Sequence, residues 1–292
     1  MDLFLGQFIA GLSYGSTLFL VSAGLTLIFG VTRVVNFAHG SLYMIGAYLA
    51  YTITTQLPAT PFGFFGGVLL AALGVAIIGA AIEIVLLRRI YAAPEIFQLV
   101  ATFGVVLIVQ DLALQIWGPQ ELFAPRAPGL KGSVEIGSAL VPQYSLFVLV
   151  VGPAVFALLW WLLKRTRWGI WIRASSQDRE MAGALGLNEP WLFTSVFALG
   201  AFLAGLAGAL QIPRETVNLQ MDLSILVEAF VVVVVGGLGS VTGALWAAFL
   251  IGLLHAFGTW WLPQSTLVLI FVVMAAVLIV RPYGLLGRPL AP

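Results

Sequence analysis

The sequence predicts an all-α, polytopic transmembrane bundle of about eight or nine spans, on three observations. The 292 residues are 61% hydrophobic and 9% charged, against about 25% charged in soluble domains. That much apolar surface exceeds what one soluble core can bury. The apolar residues fall into repeated runs of roughly 20, the length that crosses a bilayer as a helix. The charges gather between those runs. Lys164 to Glu189 alone holds five of the thirteen basic and three of the twelve acidic residues.

Nine apolar segments are expected, at 3–30, 37–57, 63–87, 96–117, 144–163, 191–212, 223–238, 241–262 and 265–280. The first follows Asp2 where a cleavable leader would carry basic residues, and it is too long for a signal core, so it reads as a span. Segment 223–238 is short for a full crossing at about 1.5 Å per residue, which suggests a tilted or partly re-entrant helix. Basic residues of short loops mark the inner face. Arg33, Arg88–Arg89, the 164–179 cluster, Arg281 and Arg288 all fall there if nine spans alternate with the N-terminus outside and the C-terminus inside. Loop 118–143, with Pro119, Pro125, Pro128 and Gly129, then faces outward as an exposed turn-rich connection. The whole chain, 1–292, is expected to be a single membrane domain with loop 164–190 inside it.

Small residues recur inside the spans at helical spacing: Gly200, Ala204, Gly205 and Gly208, and again Gly66, Gly67, Gly74 and Gly79. They suit close helix packing where lipid gives no hydrophobic drive for association. Two polar or glycine-rich breaks interrupt the apolar pattern, at 32–41 (TRVVNFAHGS) and 236–243 (GGLGSVTG). A break within the membrane must be buried in protein or line a wet cavity. Asn36, His39, Gly40, Gly236, Gly237 and Gly239 are therefore candidates for lining or gating a pathway, the alternative being two short surface loops. The shared Gly-Ser hints at an internal repeat. Of the ionisable residues in spans, Glu83 has Arg88 as a local partner. Asp111 is expected to face protein, and Glu228 and His255 lie in the outer halves of their segments.

Several functions are excluded or unsupported. No basic block could neutralise many phosphates, so nucleic acid is not an expected partner. The chain has no cysteine, hence no disulfide or thiol chemistry. It has no phosphate-cradling G-x-x-x-x-G-K-[ST] and no hydrolase or metalloprotease motif, and a single His with no ligand cluster makes no metal site. It is expected to be no enzyme and to hold no cofactor; ATP-driven work would need another polypeptide. An ion-coupled transporter using Asp111, Glu228 or His255 and a passive channel are the alternatives of a different class.

The motifs together resemble one family, the permeases of branched-chain amino acid ABC transporters. The resemblance lies in GLSYGSTLFLVSAGLTLIFGVTRVVNFAHGSLYMIGAY (11–48), ATFGVVLIVQD (101–111), RASSQDREMAGALGLN (173–188), VVVGGLGSVTGALWAAFLIGLL and the closing LIVRPYGLLG. These stand in family order over nearly the whole chain, and the pattern is nearer the shorter permease subunit. The resemblance implies a type II importer-like fold in a bacterial inner membrane. It also implies a second permease subunit, two cytoplasmic ATP-binding subunits that bind the ATP, and a periplasmic substrate-binding protein. The cargo would be branched-chain or other hydrophobic amino acids, with urea, short amides and aromatic acids served by related permeases. Coupling to the ATPase is carried over onto Arg173, Gln177, Asp178, Ala182, Leu185 and Gly186; Ser175 and Ser176 depart mildly from the pattern. The residues of that loop fit a short helix over 175–186. Ser175 or Ser176 would be its N-cap, Asp178 or Glu180 would sit in its first turn, and Met181, Ala182, Ala184 and Leu185 would form one apolar face. Gly186 would end it, and Asn188 would cap the next helix with Pro190 in its first turn.

Overall fold

Why the nine apolar segments form helices is settled by the apolar runs; how they pack is settled by their smallest residues. A computed structural model describes residues 2–137 and 139–287; Arg288, expected at the inner face, lies outside the described residues. In chain order the helices are α1 (Asp2–Thr32), α2 (Ala38–Gln56), α3 (Pro61–Ile82), α4 (Glu95–Trp117), α5 (Gln143–Arg165), α6 (Arg167–Gln177), α7 (Arg179–Ala184), α8 (Glu189–Gln211), α9 (Met221–Gly236), α10 (Val241–Trp261) and α11 (Thr266–Val280). Among the described residues, seven are long and apolar enough to cross a membrane. The other two of the nine expected segments are the 19-residue α2 and the 16-residue α9, both largely buried. The fold is the expected polytopic helical bundle.

The centre is built from α1, α2, α8 and α9, whose residues Leu18, Phe19, Met44, Ala47, Phe197, Ala204 and Val232 are fully or almost fully buried. Around them α4, α5 and α11 are the most exposed: only 22%, 17% and 11% of their most apolar stretch is covered. Apolar outer faces of this kind belong against lipid or another subunit. The helices of the centre touch backbone to backbone. A side chain added at Gly208 in α8 would land on the carbonyl oxygen of Tyr43 in α2, and one at Gly46 in α2 would land on that of Gly205. The expectation of close packing thus holds for Gly205 and Gly208, as it does for Gly79 against Ala201. It fails for Gly66, which has nothing within 4 Å.

Three features were not expected. The 118–143 connection is more than a turn-rich loop: Ser133–Ile136 (β1) and Ala139–Pro142 (β2) pair antiparallel. Its Ala139 and Val141 pack with Ile9 of α1, and Leu122 exchanges backbone hydrogen bonds of 2.9 Å with Val217 in the α8–α9 connection. Secondly, α3 does not end at Ile82 but passes through a π-helical turn, Glu83–Leu87, on its way to Ile90. Glu83 is fully buried in that turn and pairs with Arg88 at 3.3 Å, the local pairing expected of it. Thr194 of α8, 2.6 Å from the Glu83 carboxylate, and the Tyr91 hydroxyl, at 3.3 Å, complete the shell. Thirdly, Asp111 does not face protein. It lies exposed on the outer side of α4.

Candidate functional site

Two regions carry the residues singled out in the sequence: the breaks inside the bundle and the loop between α5 and α8. At the first break, α1 runs on to Thr32, but His39, at the start of α2, sits beside Val21. Its Nε2 lies 2.9 Å from the Val21 carbonyl oxygen, a geometry that places the proton on Nε2. Thr32 is eleven residues past Val21, or about 16 Å along the helix at about 1.5 Å per residue. Residues 33–37 are therefore an irregular connection, with a turn closed by the His39 amide on the Asn36 carbonyl at 3.3 Å, that brings the start of α2 back beside α1. Arg33 makes the reversal in the left-handed region, φ 56°, at a cost of about 1–2 kcal/mol for a side-chain-bearing residue.

The returning segment is buried, as a break within a membrane must be. Val34, Asn36 and Ala38 are all nearly inaccessible. Asn36 Oδ1 accepts from the Ala38 amide at 3.1 Å and so opens α2. Its Nδ2 and His39 Nδ1 have no partner among the described residues. Phe37 meets Phe230 at 5.7 Å between ring centroids, and Gly40 packs on the backbone of Asp222 in the first turn of α9. The same neighbourhood holds a side chain that the sequence did not mark. Asp222 is 1% exposed. Gln110 of α4 donates to both its oxygens at 2.9 and 3.1 Å, Ser41 of α2 donates at 3.3 Å, and the Leu223 amide donates at 2.7 Å. Asp222 stands one residue outside the apolar run, so patterning alone leaves it in a loop.

The second break is built differently and gives no support to a repeat. Gly236 and Gly237 end α9, and Gly236 presses on Gly243 of α10. Gly237 takes φ 102°. The segment after α11 folds back onto this end: the Leu285 and Leu286 amides donate to the Val235 and Gly236 carbonyls at 2.8 and 3.1 Å. Orphan carbonyls at the end of α9 are satisfied in this way. Gly239 is exposed and touches Gly30 at the end of α1. The two breaks thus pack on different neighbours. Of the other ionisable residues, Glu228 accepts a 2.9 Å hydrogen bond from Tyr14, whose ring stacks on His255 at 4.4 Å.

The α5–α8 loop contains two helices where one was expected. Thr166, not a serine, caps the first, its side chain accepting from the Gly169 amide at 3.2 Å. Ser175 and Ser176 lie in the last turns of that helix. Asp178 breaks the path and caps α7 by accepting from the Met181 amide at 2.9 Å. The reason is backbone geometry: Asp178 is extended, at φ −145° and ψ 103°, and its carboxylate reaches an orphan amide that a mid-helix serine could not. Gly186, with φ 86°, ends α7 as expected. Its amide bonds Gly183 at 2.9 Å and the Leu187 amide bonds Ala182 at 3.2 Å, the paired bonds of a Schellman end. Asn188 then caps α8 by accepting from Trp191 at 3.1 Å, with Pro190 in the first turn. Arg173 donates to the Leu163 carbonyl, tying α6 back onto α5.

The expected apolar face of α7 is divided. Ala182 is 3% exposed and turned inward, whereas Met181 and Leu185 are 57% and 79% exposed; Gln177, Asp178 and Gly186 are exposed beside them. The elbow thus presents two large apolar side chains from a frame capped at both ends. Replacing Asp178 with Ala is expected to cost α7 about 1 kcal/mol. Limited proteolysis should show it as faster cleavage within 178–186 and no change elsewhere.

The described residues thus form a helical bundle with seven membrane-length spans and a capped, apolar-tipped elbow on its surface. Residues 7–278 match the family model described as branched-chain amino acid transport system / permease component. The chain belongs to this family. It is 30% identical to the high-affinity branched-chain amino acid transport system permease protein BraD of Pseudomonas aeruginosa, over 98% of this chain and 96% of that one. It is likewise 30% identical to LivH of Escherichia coli K12, again over 98% and 96%. A solved structure, PsaBC from Streptococcus pneumoniae in complex with Fab, aligns over 96% of this chain and 91% of the other, with 15% identity and a TM-score of 0.45.

Proposed function

We propose that this chain is one permease subunit of an ATP-driven importer of branched-chain and other hydrophobic amino acids, coupled to a separate ATPase through the α6–α7 elbow. The observation that carries the coupling role is the elbow itself: Met181 and Leu185 stand exposed on a short helix whose two ends are fixed by Asp178 and Gly186. A rigid knob of this kind fits a groove on a partner and passes that partner's motion on to α5 and α8 as a body. Arg173 and Gln177 frame its approach. ATP would be bound and hydrolysed by the partner, since this chain carries no phosphate cradle. A second permease subunit and a periplasmic binding protein complete the assembly, and the elbow faces the cytoplasm. That orientation agrees with the Lys/Arg distribution and puts the C-terminus inside.

The test is reconstitution with the ATPase, second permease and binding protein in proteoliposomes. L-Leucine uptake should require ATP and should not follow an imposed proton or sodium gradient. Leu185→Glu places a charge on the tip without touching the core. It is expected to lower ATP-driven uptake at least about tenfold, the equivalent of about 1.4 kcal/mol, while this chain remains folded. Unchanged uptake in Leu185→Glu would remove the elbow from the coupling path. Uptake driven by an ion gradient without ATPase would support the ion-coupled reading instead.

A further inference from the structure

Polar side chains interrupt the apolar exterior of the bundle where α4 faces α9. On α4, Leu107, Gln110, Asp111 and Leu114 follow one another at helical spacing and face Leu223 and Ser224 of α9 across an open cleft of about 690 Å³. Asp111 lies six residues before the end of α4, about 9 Å inside it at about 1.5 Å per residue, and it is exposed. A carboxylate facing hydrocarbon costs about 2.5–3.5 kcal/mol at the centre of a span, so this face suits water, a polar solute or a polar partner surface better than lipid. The contrast with α11 is direct: its exposed face of Leu267, Val268, Phe271 and Val272 carries no polar group.

The two carboxylates here differ in what they have left to offer. Asp222, behind the cleft, already accepts bonds from Gln110, Ser41 and its own neighbour's amide; it fixes Gln110 and adds negative potential. Asp111 accepts only from Gln115, at 2.7 Å, among the described residues, and a carboxylate has about four acceptor sites. No basic residue lines the cleft. An ammonium group suits Asp111, and leucine side chains on both walls suit an aliphatic chain beside it.

Resting on the import function proposed above, we infer that the α4–α9 cleft is a transient contact site for the amino acid in transit, with Asp111 receiving its α-ammonium group and Leu107, Leu114 and Leu223 its aliphatic side chain. Charge complementarity at Asp111 selects an ammonium-bearing occupant over a lipid tail, which has no use for Asp111; the α-carboxylate of the amino acid, for which the lining offers no cation, is left toward the open side of the cleft.

The chain has no cysteine, so single cysteines report on the cleft in the complete transporter. Ser224→Cys, with Leu107→Cys as a second probe on the opposite wall, is treated in proteoliposomes with cationic and anionic methanethiosulfonates. The cationic reagent is expected to react about tenfold faster, and Asp111→Asn should erase most of that preference. L-Leucine should slow the reaction, and 4-methylpentanoate, which lacks the ammonium group, should not. A control at Val272→Cys on α11 should stay unreactive. Failure of both cleft cysteines to react would make this a lipid or subunit contact and overturn the site. Reaction with no protection by leucine would overturn the ligand. ATP-driven leucine uptake, measured in the same vesicles, separates these failures from failure of the import function: uptake without protection condemns the site alone.

Discussion

Gly208→Leu is expected to prevent the bundle from forming. A Cβ at this position falls on the Tyr43 carbonyl oxygen, which is backbone, so no rotamer change can make room. Separating α2 from α8 would open the most buried part of the molecule, where Met44, Ala47, Ala204 and Ala207 have no exposure. Overpacking of side chains commonly costs about 1–3 kcal/mol, and a clash with backbone in a close-packed crossing belongs at or beyond the upper end. Gly66→Leu is the matched control. That glycine has the same kind of sequence context but nothing within 4 Å, and the substitution should be tolerated. Yield of monodisperse protein in detergent and its thermal unfolding monitored by tryptophan fluorescence distinguish the two. Equal behaviour of the two variants would mean that the α2–α8 crossing is not close-packed.

Arg88→Ala should be the most damaging change at the end of the bundle that carries the elbow. Arg88 pairs with the fully buried Glu83 at 3.3 Å and also reaches Thr194 at 2.6 Å and the Pro190 carbonyl at 3.4 Å. It thereby clamps the π-helical turn of α3 to the first turn of α8, directly after the elbow. Removing the cation strands a buried carboxylate, a loss of about 3–5 kcal/mol for a fully buried pair. Arg88 is 38% exposed, so solvent screening reduces this to about 2–3 kcal/mol. Glu83→Gln added to Arg88→Ala should recover part of the loss, because the stranded charge is gone while the hydrogen bonds to Thr194 and Tyr91 can persist. A double-mutant cycle on thermal stability measures the coupling. A cycle that closes with no coupling would show that Glu83 is held by the hydroxyls alone.

How far these features could be read in the sequence depends on how local their causes are. The nine apolar segments, the end of α7 and the start of α8 were legible because apolar periodicity, Gly186 and the Asn188-x-Pro cap act within a few residues. The N-cap of α7 was misplaced by two or three residues because Ser175, Ser176 and Asp178 are all competent caps, and only the backbone angle at Asp178 selects among them. The glycines illustrate the limit of pattern: Gly66 and Gly208 look alike in sequence, yet only Gly208 meets a neighbour. Asp222 was missed because its partners, Ser41 and Gln110, are 181 and 112 residues away, and no local signal marks such a meeting. The break at 32–41 could be read either as a surface loop or as lining a pathway; the burial of Asn36 and His39 and the contact of His39 with Val21 show that it is no surface loop.

The central claim is that a separate ATPase docks on the α6–α7 elbow. Leu185→Cys in this cysteine-free chain, joined to a thiol-reactive photocrosslinker, tests it in the assembled transporter. Crosslinking should give one adduct, with the ATP-binding subunit, and its yield should change when nucleotide closes the ATPase. An elbow that crosslinks only to lipid or to the other permease, with the ATPase present and uptake intact, would contradict the claim.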